Sequence, residues 1–116
     1  MNDFPSYYHR IQNREAIRSN LTTSITTENC IIGGGLAGIS TMLSLIERGH
    51  SVALLESNTI GFGASGRNGG FLSSGFSLGI SEIEQRVGLT DTKELFRLSQ
   101  KGVELVVSRS QKFCLN

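Results

Sequence analysis

The residues of this chain whose types and spacing point to chemistry are a glycine turn and a glutamate downstream of it. Gly33-Gly34-Gly35-Leu36-Ala37-Gly38 fits G-x-G-x-x-G, the spacing with which a backbone wraps a pyrophosphate. Each glycine of that pattern has its own task. Gly33 permits a tight exit from a strand. Gly35 has no Cβ, so phosphate can approach its backbone, and Gly38 lets the next helix pack closely on the sheet. Leu36 and Ala37 open that helix, whose first N–H groups and partial positive charge favour an anion. Glu56, eighteen residues after Gly38, can accept hydrogen bonds from an adenosine ribose. An acid at that position repels a 2′-phosphate, which disfavours NADP.

A second glycine-dense turn follows, Gly61-Phe62-Gly63-Ala64-Ser65-Gly66-Arg67-Asn68-Gly69-Gly70. Residues 61–79 hold seven of the fourteen glycines and a single charge, Arg67. So much glycine is costly in backbone entropy, and a loop that accepts this cost usually lets its backbone come close to something. For the first turn, FAD and NAD are equally good ligands. A glycine-rich turn with no ligand is the plain alternative.

These residues need elements to hold them. The apolar run Cys30-Ile31-Ile32 predicts a strand over Asn29–Ile32. Leu36, Ile39, Met42, Leu43 and Ile46 recur at helical spacing and predict a helix from Leu36 to Arg48 with one buried stripe. Gly49 is its stop signal. Val52–Glu56 is nearly continuous in apolar content, as a parallel strand covered on both faces should be. Together these make a Rossmann-like βαβ unit of an α/β fold, with helices following and the sheet incomplete. Ser81-Glu82-Ile83-Glu84 reads as a capping box opening a helix to Val87. Asp91-Thr92-Lys93-Glu94 opens a longer one, with Leu95, Leu98, Gly102, Leu105, Val106 and Arg109 marking its face. Phe113-Cys114-Leu115-Asn116 carries no stop signal.

With 116 residues the chain is at most one small domain, and only the first half of a doubly wound sheet can be traced. It reads as the N-terminal part of a longer protein, with residues 1–28 as a leader and 29–116 as the N-terminal part of a dinucleotide-binding domain. A compact self-sufficient domain is the alternative. The net charge is +1 and no Lys/Arg block occurs, which argues against a nucleic-acid surface. Cys30 and Cys114 make neither metal spacing nor a disulfide framework, and Cys30 reads as a small buried thiol. There is no secretory signal and no transmembrane segment, so the expected location is cytoplasmic.

The chain resembles the FAD-dependent amino-acid and amine oxidases of the D-amino-acid oxidase type, most closely the γ-glutamylputrescine oxidoreductase-like branch. The resembling residues are Tyr7-Tyr8, Cys30 through Gly38, Leu54-Leu55-Glu56, and Gly61 through Gly70. The resemblance extends to about Val106. Gly-Ala-Ser-Gly-Arg-Asn-Gly-Gly is its selective part, since many dinucleotide proteins share the first motif. It implies that Ala64, Ser65 and Arg67 lie along the FAD phosphates and ribityl chain, and that Asn68, Gly69 and Gly70 approach the flavin ring. Read from residue chemistry alone, Arg67 also fits a surface loop cation and Ser65 a local turn hydrogen bond. Some members attach flavin covalently through His or Cys. Neither occurs between Glu56 and Gly79, so non-covalent FAD is expected. Asn29 stands where the family commonly has an acid, and the stretch from Ser108 fits the family helix only loosely.

The activity this implies is oxidation of the C–N bond of a small amine or amino acid, by hydride transfer to flavin, in the full-length protein. An NAD-binding dehydrogenase domain explains the first turn but gives the second no task. A non-catalytic nucleotide-binding module is the third reading. His9 and His50 are the only histidines, and no residue here can be nominated as a catalytic base.

Overall fold

A computed structural model describes residues 18–115, so the readings placed on Tyr7, Tyr8, His9 and most of the 1–28 leader lie outside the described residues. The chain divides into two compact units, one ending at Gly69 and the other beginning at Gly70.

The first unit contains the predicted βαβ. Strand β1 (Asn29–Ile32) leads through the glycine turn into helix α1 (Leu36–Ile46) and on to β2 (Val52–Leu55). The strands pair in parallel, with Asn29 opposite Val52 and Ile32 opposite Leu55, and α1 packs on both. A polar clasp fixes this register at the strand starts. The Ser51 amide donates to Glu28 Oε2 at 2.7 Å, the Glu28 amide donates to Ser51 Oγ at 3.1 Å, and the Asn29 amide donates to the Ser51 carbonyl at 3.2 Å. The Ser51 amide, more than any other group, holds the Glu28 carboxyl below the usual carboxylate range. His50 Nδ1 lies 3.6 Å from the same carboxylate.

Helix α1 stops at Ile46, two residues short of the predicted Arg48. The reason is its closing turn: the Gly49 amide donates to the Ile46 carbonyl at 2.9 Å, and the His50 amide to Leu45 at 3.1 Å. This is a Schellman motif, with Gly49 at the left-handed position as expected of the stop residue. The single buried stripe fails at both ends. Ile39, Met42 and Leu43 are half-buried, but Leu36 and Ile46 are exposed. Nor is β2 covered on both faces: Val52, Ala53 and Leu54 are half-buried and Leu55 is exposed. Burial alternates along β1, leaving Ile32 87% exposed and Cys30 exposed rather than buried. One helix covers one face of a two-stranded sheet, and alternate side chains point away from it.

The second unit is dominated by α2 (Ile80–Lys112), interrupted at Gly88 (φ 82°, ψ 163°). Two predicted starts are corrected here. Gly79 caps α2 through its backbone, its carbonyl accepting the Glu82 and Ile83 amides at 3.0 and 3.1 Å, so Ser81 falls inside the first turn and no side chain caps the helix. The break at Gly88 likewise leaves Asp91 within helix. Thr92 is the buried residue there, and its hydroxyl donates to the Gly88 carbonyl at 2.7 Å. The covered face matches the expected one at Leu95 and Arg109 alone. Thr92 and Arg109 are buried and Leu95, Ser99, Val103 and Ser110 half-buried, whereas Leu98, Gly102, Leu105 and Val106 are exposed. Ser99 belongs on that face because its Oγ accepts the Gly75 amide at 2.9 Å.

The helix does have a stop. The Cys114 amide donates to Gln111 at 3.1 Å and the Leu115 amide to Ser110 at 2.9 Å, with Cys114 at φ 52°. A cysteine in the left-handed position, where glycine or asparagine is usual, carries no sequence signal. Among the described residues, no helix is long and apolar enough to cross a membrane.

Candidate functional site

The first unit folds its two glycine turns onto each other. Gly33 extends the sheet, donating its amide to the Leu55 carbonyl at 2.7 Å, then turns the chain at φ 104° into α1. Gly38 sits against that turn. A Cβ on it would lie 2.0 Å from the Gly33 carbonyl oxygen and 3.4 Å from Ile31 Cγ2, so only glycine lets α1 start this close to the strand. Both tasks match the expectation for these positions.

Gly34, one of the variable positions of the motif, proves to be the hub. It is buried, its amide donates to Glu56 Oε2 at 2.7 Å, and its carbonyl accepts the Gly61 amide at 2.9 Å. A Cβ there would lie 2.5 Å from Ile60 Cδ1. Three glycines in a row, where the pattern asks for two, were the signal that could have found it. Glu56 also takes the Asn58 amide on Oε1 at 2.9 Å. The Gly34 amide first, then that of Asn58, holds its carboxyl below the usual carboxylate range, so it is an anion at neutral pH. A carboxylate has about four lone-pair sites, which leaves Glu56 able to accept from a ribose hydroxyl as well.

Ala64–Gly66 forms a single 3₁₀ turn. Gly66 presses on Gly61: a Cβ would lie 2.3 Å from the Gly61 carbonyl oxygen. The Ser65 hydroxyl bonds across to the other turn and not within its own. Its Oγ accepts the Leu36 amide at 2.8 Å, capping α1 from 29 residues along the chain. The missing Cβ of Gly35 serves this approach, because one built there would lie 3.0 Å from Ser65 Oγ. The Arg67 side chain folds back on its own turn. Its Nε donates to the Phe62 carbonyl at 2.9 Å and Cζ stands 4.8 Å from the Phe62 ring centroid. Asn68 also turns inward, donating Nδ2 to the carbonyls of Ala64 at 3.1 Å and Ser65 at 2.9 Å. Gly69 ends this unit, exposed. Gly70 begins the other, exposed, at φ 72°.

The structure therefore gathers Gly33, Gly34, Gly35, Leu36, Gly38, Glu56 and Ser65 at the N-terminus of α1, and puts Arg67 and Asn68 to work inside the second turn. First-turn amides of a helix have no acceptor within it. Ser65 satisfies that of Leu36, and those of Ala37 and Gly38 follow at the same end. Helix-end donors beside an ionised carboxylate suit an adenosine diphosphate, the donors for phosphate oxygens and the acid for ribose hydroxyls.

Comparison with known proteins agrees with this chemistry. The family model for FAD dependent oxidoreductases matches residues 29–115, and the chain belongs to that family. It is 40% identical over 108 residues to gamma-glutamylputrescine oxidoreductase of Escherichia coli, covering 93% of this chain and 25% of that protein. It is 36% identical over 110 residues to a probable oxidoreductase OrdL of Haemophilus influenzae, covering 95% of this chain and 26% of that one. A probable oxidoreductase OrdL of Rhizobium meliloti is 30% identical over 86 residues, 74% of this chain and 20% of its own length. The chain thus spans about a quarter of the length of the first two relatives. No solved structure matches. The family implies a flavin cofactor.

Proposed function

We propose, with membership of the FAD dependent oxidoreductases as premise, that residues 29–116 are the N-terminal part of a domain binding FAD non-covalently. The whole protein then oxidises the C–N bond of a small amine or amino acid. The observation that carries this reading is the cluster at the start of α1, where Glu56 is bonded to Gly34 and Ser65 to Leu36. Glu56 accepts from the adenosine ribose. The first turn of α1, with Gly33, Gly35, Leu36, Ala37 and Gly38, takes the diphosphate. Ala64, Ser65 and Arg67 lie along the phosphates and ribityl chain, and Asn68, Gly69 and Gly70 carry the loop on toward the ring.

The chemistry that bound FAD supplies is acceptance of a hydride from the carbon beside the amine, the resulting imine being hydrolysed by water. The choice of an amine rests on the name of the Escherichia coli relative, gamma-glutamylputrescine oxidoreductase. What supports non-covalent attachment is that the stretch between Glu56 and Gly79 offers no His or Cys. The site of action is the cytoplasm, with no nucleic-acid partner.

The test begins with the visible spectrum of the purified protein. Flavin absorption that leaves with the supernatant on denaturation supports the reading. NAD binding without flavin would overturn it. Dye reduction with polyamine derivatives, sarcosine and D-amino acids then reads the substrate, and a flavoprotein turning over none of these would remove the amine assignment.

A further inference from the structure

We infer that Asn68 is a positioning residue that sets the phosphate-facing end of α1 through Ser65; the identity of the ligand rests on the FAD reading above. A single 3₁₀ turn is weakly held by its own bonds. In Ala64–Gly66 these are the Gly66 amide to Gly63 at 3.2 Å and the Arg67 amide to Ala64 at 3.1 Å. The Asn68 side chain adds two more, to Ala64 and Ser65. That staple fixes the residue whose Oγ must arrive 2.8 Å from the Leu36 amide.

The hydroxyl accepts that N–H with a lone pair and keeps its own proton to donate. Ser65 therefore passes the positive end of the α1 dipole outward, as an O–H aimed past the helix end at an anion such as a diphosphate oxygen. Without the staple the turn loses the geometry that delivers Ser65, and both the cap and the outward donor go with it. Asn68 thus acts on the adenylate half of the cofactor through another residue, rather than on the flavin ring.

The experiment uses Asn68→Ala, Asn68→Gln, Ser65→Ala and the Ser65→Ala/Asn68→Ala double variant. In flavin-free protein, Asn68→Ala should speed hydrogen exchange at the Leu36 amide by about two- to tenfold, the range a lost hydrogen bond gives. Titrations with ADP and with FAD should each weaken by that same factor, and Asn68→Gln, which keeps the amide donor, should recover part of it. In the Ser65→Ala background, Asn68→Ala should cost little more, and the absorption spectrum of bound flavin should not move. Equal losses from Asn68→Ala with and without Ser65 would overturn the proposal. So would a spectral shift with ADP affinity intact, or an unchanged Leu36 amide. Wild-type protein that binds neither ADP nor FAD would overturn the flavin reading instead, and exchange at Leu36 would then decide whether Asn68 holds Ser65.

Discussion

Some glycines of the first unit do work that Gly75, Gly79, Gly88 and Gly102 of the second do not. In the first, Gly34, Gly38 and Gly66 stand where a Cβ would come within 2.5, 2.0 and 2.3 Å of another atom, backbone carbonyl oxygens in the last two cases. In the second, Gly75, Gly79, Gly88 and Gly102 have nothing within 4 Å of a Cβ. The first set exists for close approach, two turns locked face to face. The second serves backbone conformation, as at Gly88, or serves nothing the structure explains, as at Gly102. Composition alone cannot separate these uses. The surroundings of the missing Cβ can.

The sharpest way to break this contrast is Gly38→Ala. Its Cβ meets the Gly33 carbonyl, which cannot swing aside as a side chain would, so a loss of about 3 kcal/mol is expected in denaturant unfolding. Wild-type stability in that variant would end the close-approach account. Next comes Glu56→Arg, which removes the acceptor for the Gly34 amide and reverses the charge at the ribose position. Flavin affinity should fall roughly ten- to hundredfold, and flavin titration of the apoprotein reads it directly. Unchanged affinity would detach Glu56 from the site.

Gly102→Ala should go the other way. It lies on an exposed stretch of α2 with open space around it, and alanine in a helix interior is better by about 1 kcal/mol. A melting temperature that falls would mean that Gly102 packs closely against a neighbour after all. The smallest effect is that of acid. Glu28 and Glu56 in the first unit are held below the usual carboxylate range chiefly by backbone amides, and Glu94 in the second chiefly by Arg97. A depressed folded value means the stabilisation is present at neutral pH and disappears as pH falls through that value, below the ordinary range. Protection of the Gly34 and Asn58 amides, taken against the intrinsic exchange rate at each pH, should then fall. Salt at neutral pH should weaken the exposed Glu94–Arg97 pair and leave the amide bonds to Glu56 in place, and salt-sensitive Gly34 exchange would count against the assignment.

The first unit was legible because its signals are local and agree. Two apolar runs, a helical period, Gly49 as stop and G-x-G-x-x-G each called for the element found. The second unit was less so. Ser81 and Asp91 looked like helix openers, yet Gly79 and Gly88 set the boundaries with backbone alone, and Cys114 closes α2 from a conformation its side chain does not advertise. The face marked by Leu98 and Leu105 turned out exposed, since hydropathy ranks residues by type and Ser99 is covered for a hydrogen bond.

By itself the sequence determined the βαβ order, the ionised acid at the end of β2 and the resemblance that the family match bears out, because each depends on residue types at fixed short spacing. Only tertiary structure decided the role of Gly34, of Ser65 on Leu36 and of Asn68 on its own turn. The first two depend on which atoms meet 22 and 29 residues apart, and Asn68 matters through the second of them. Spacing along a sequence does not encode such meetings; the folding of one turn onto the other creates them.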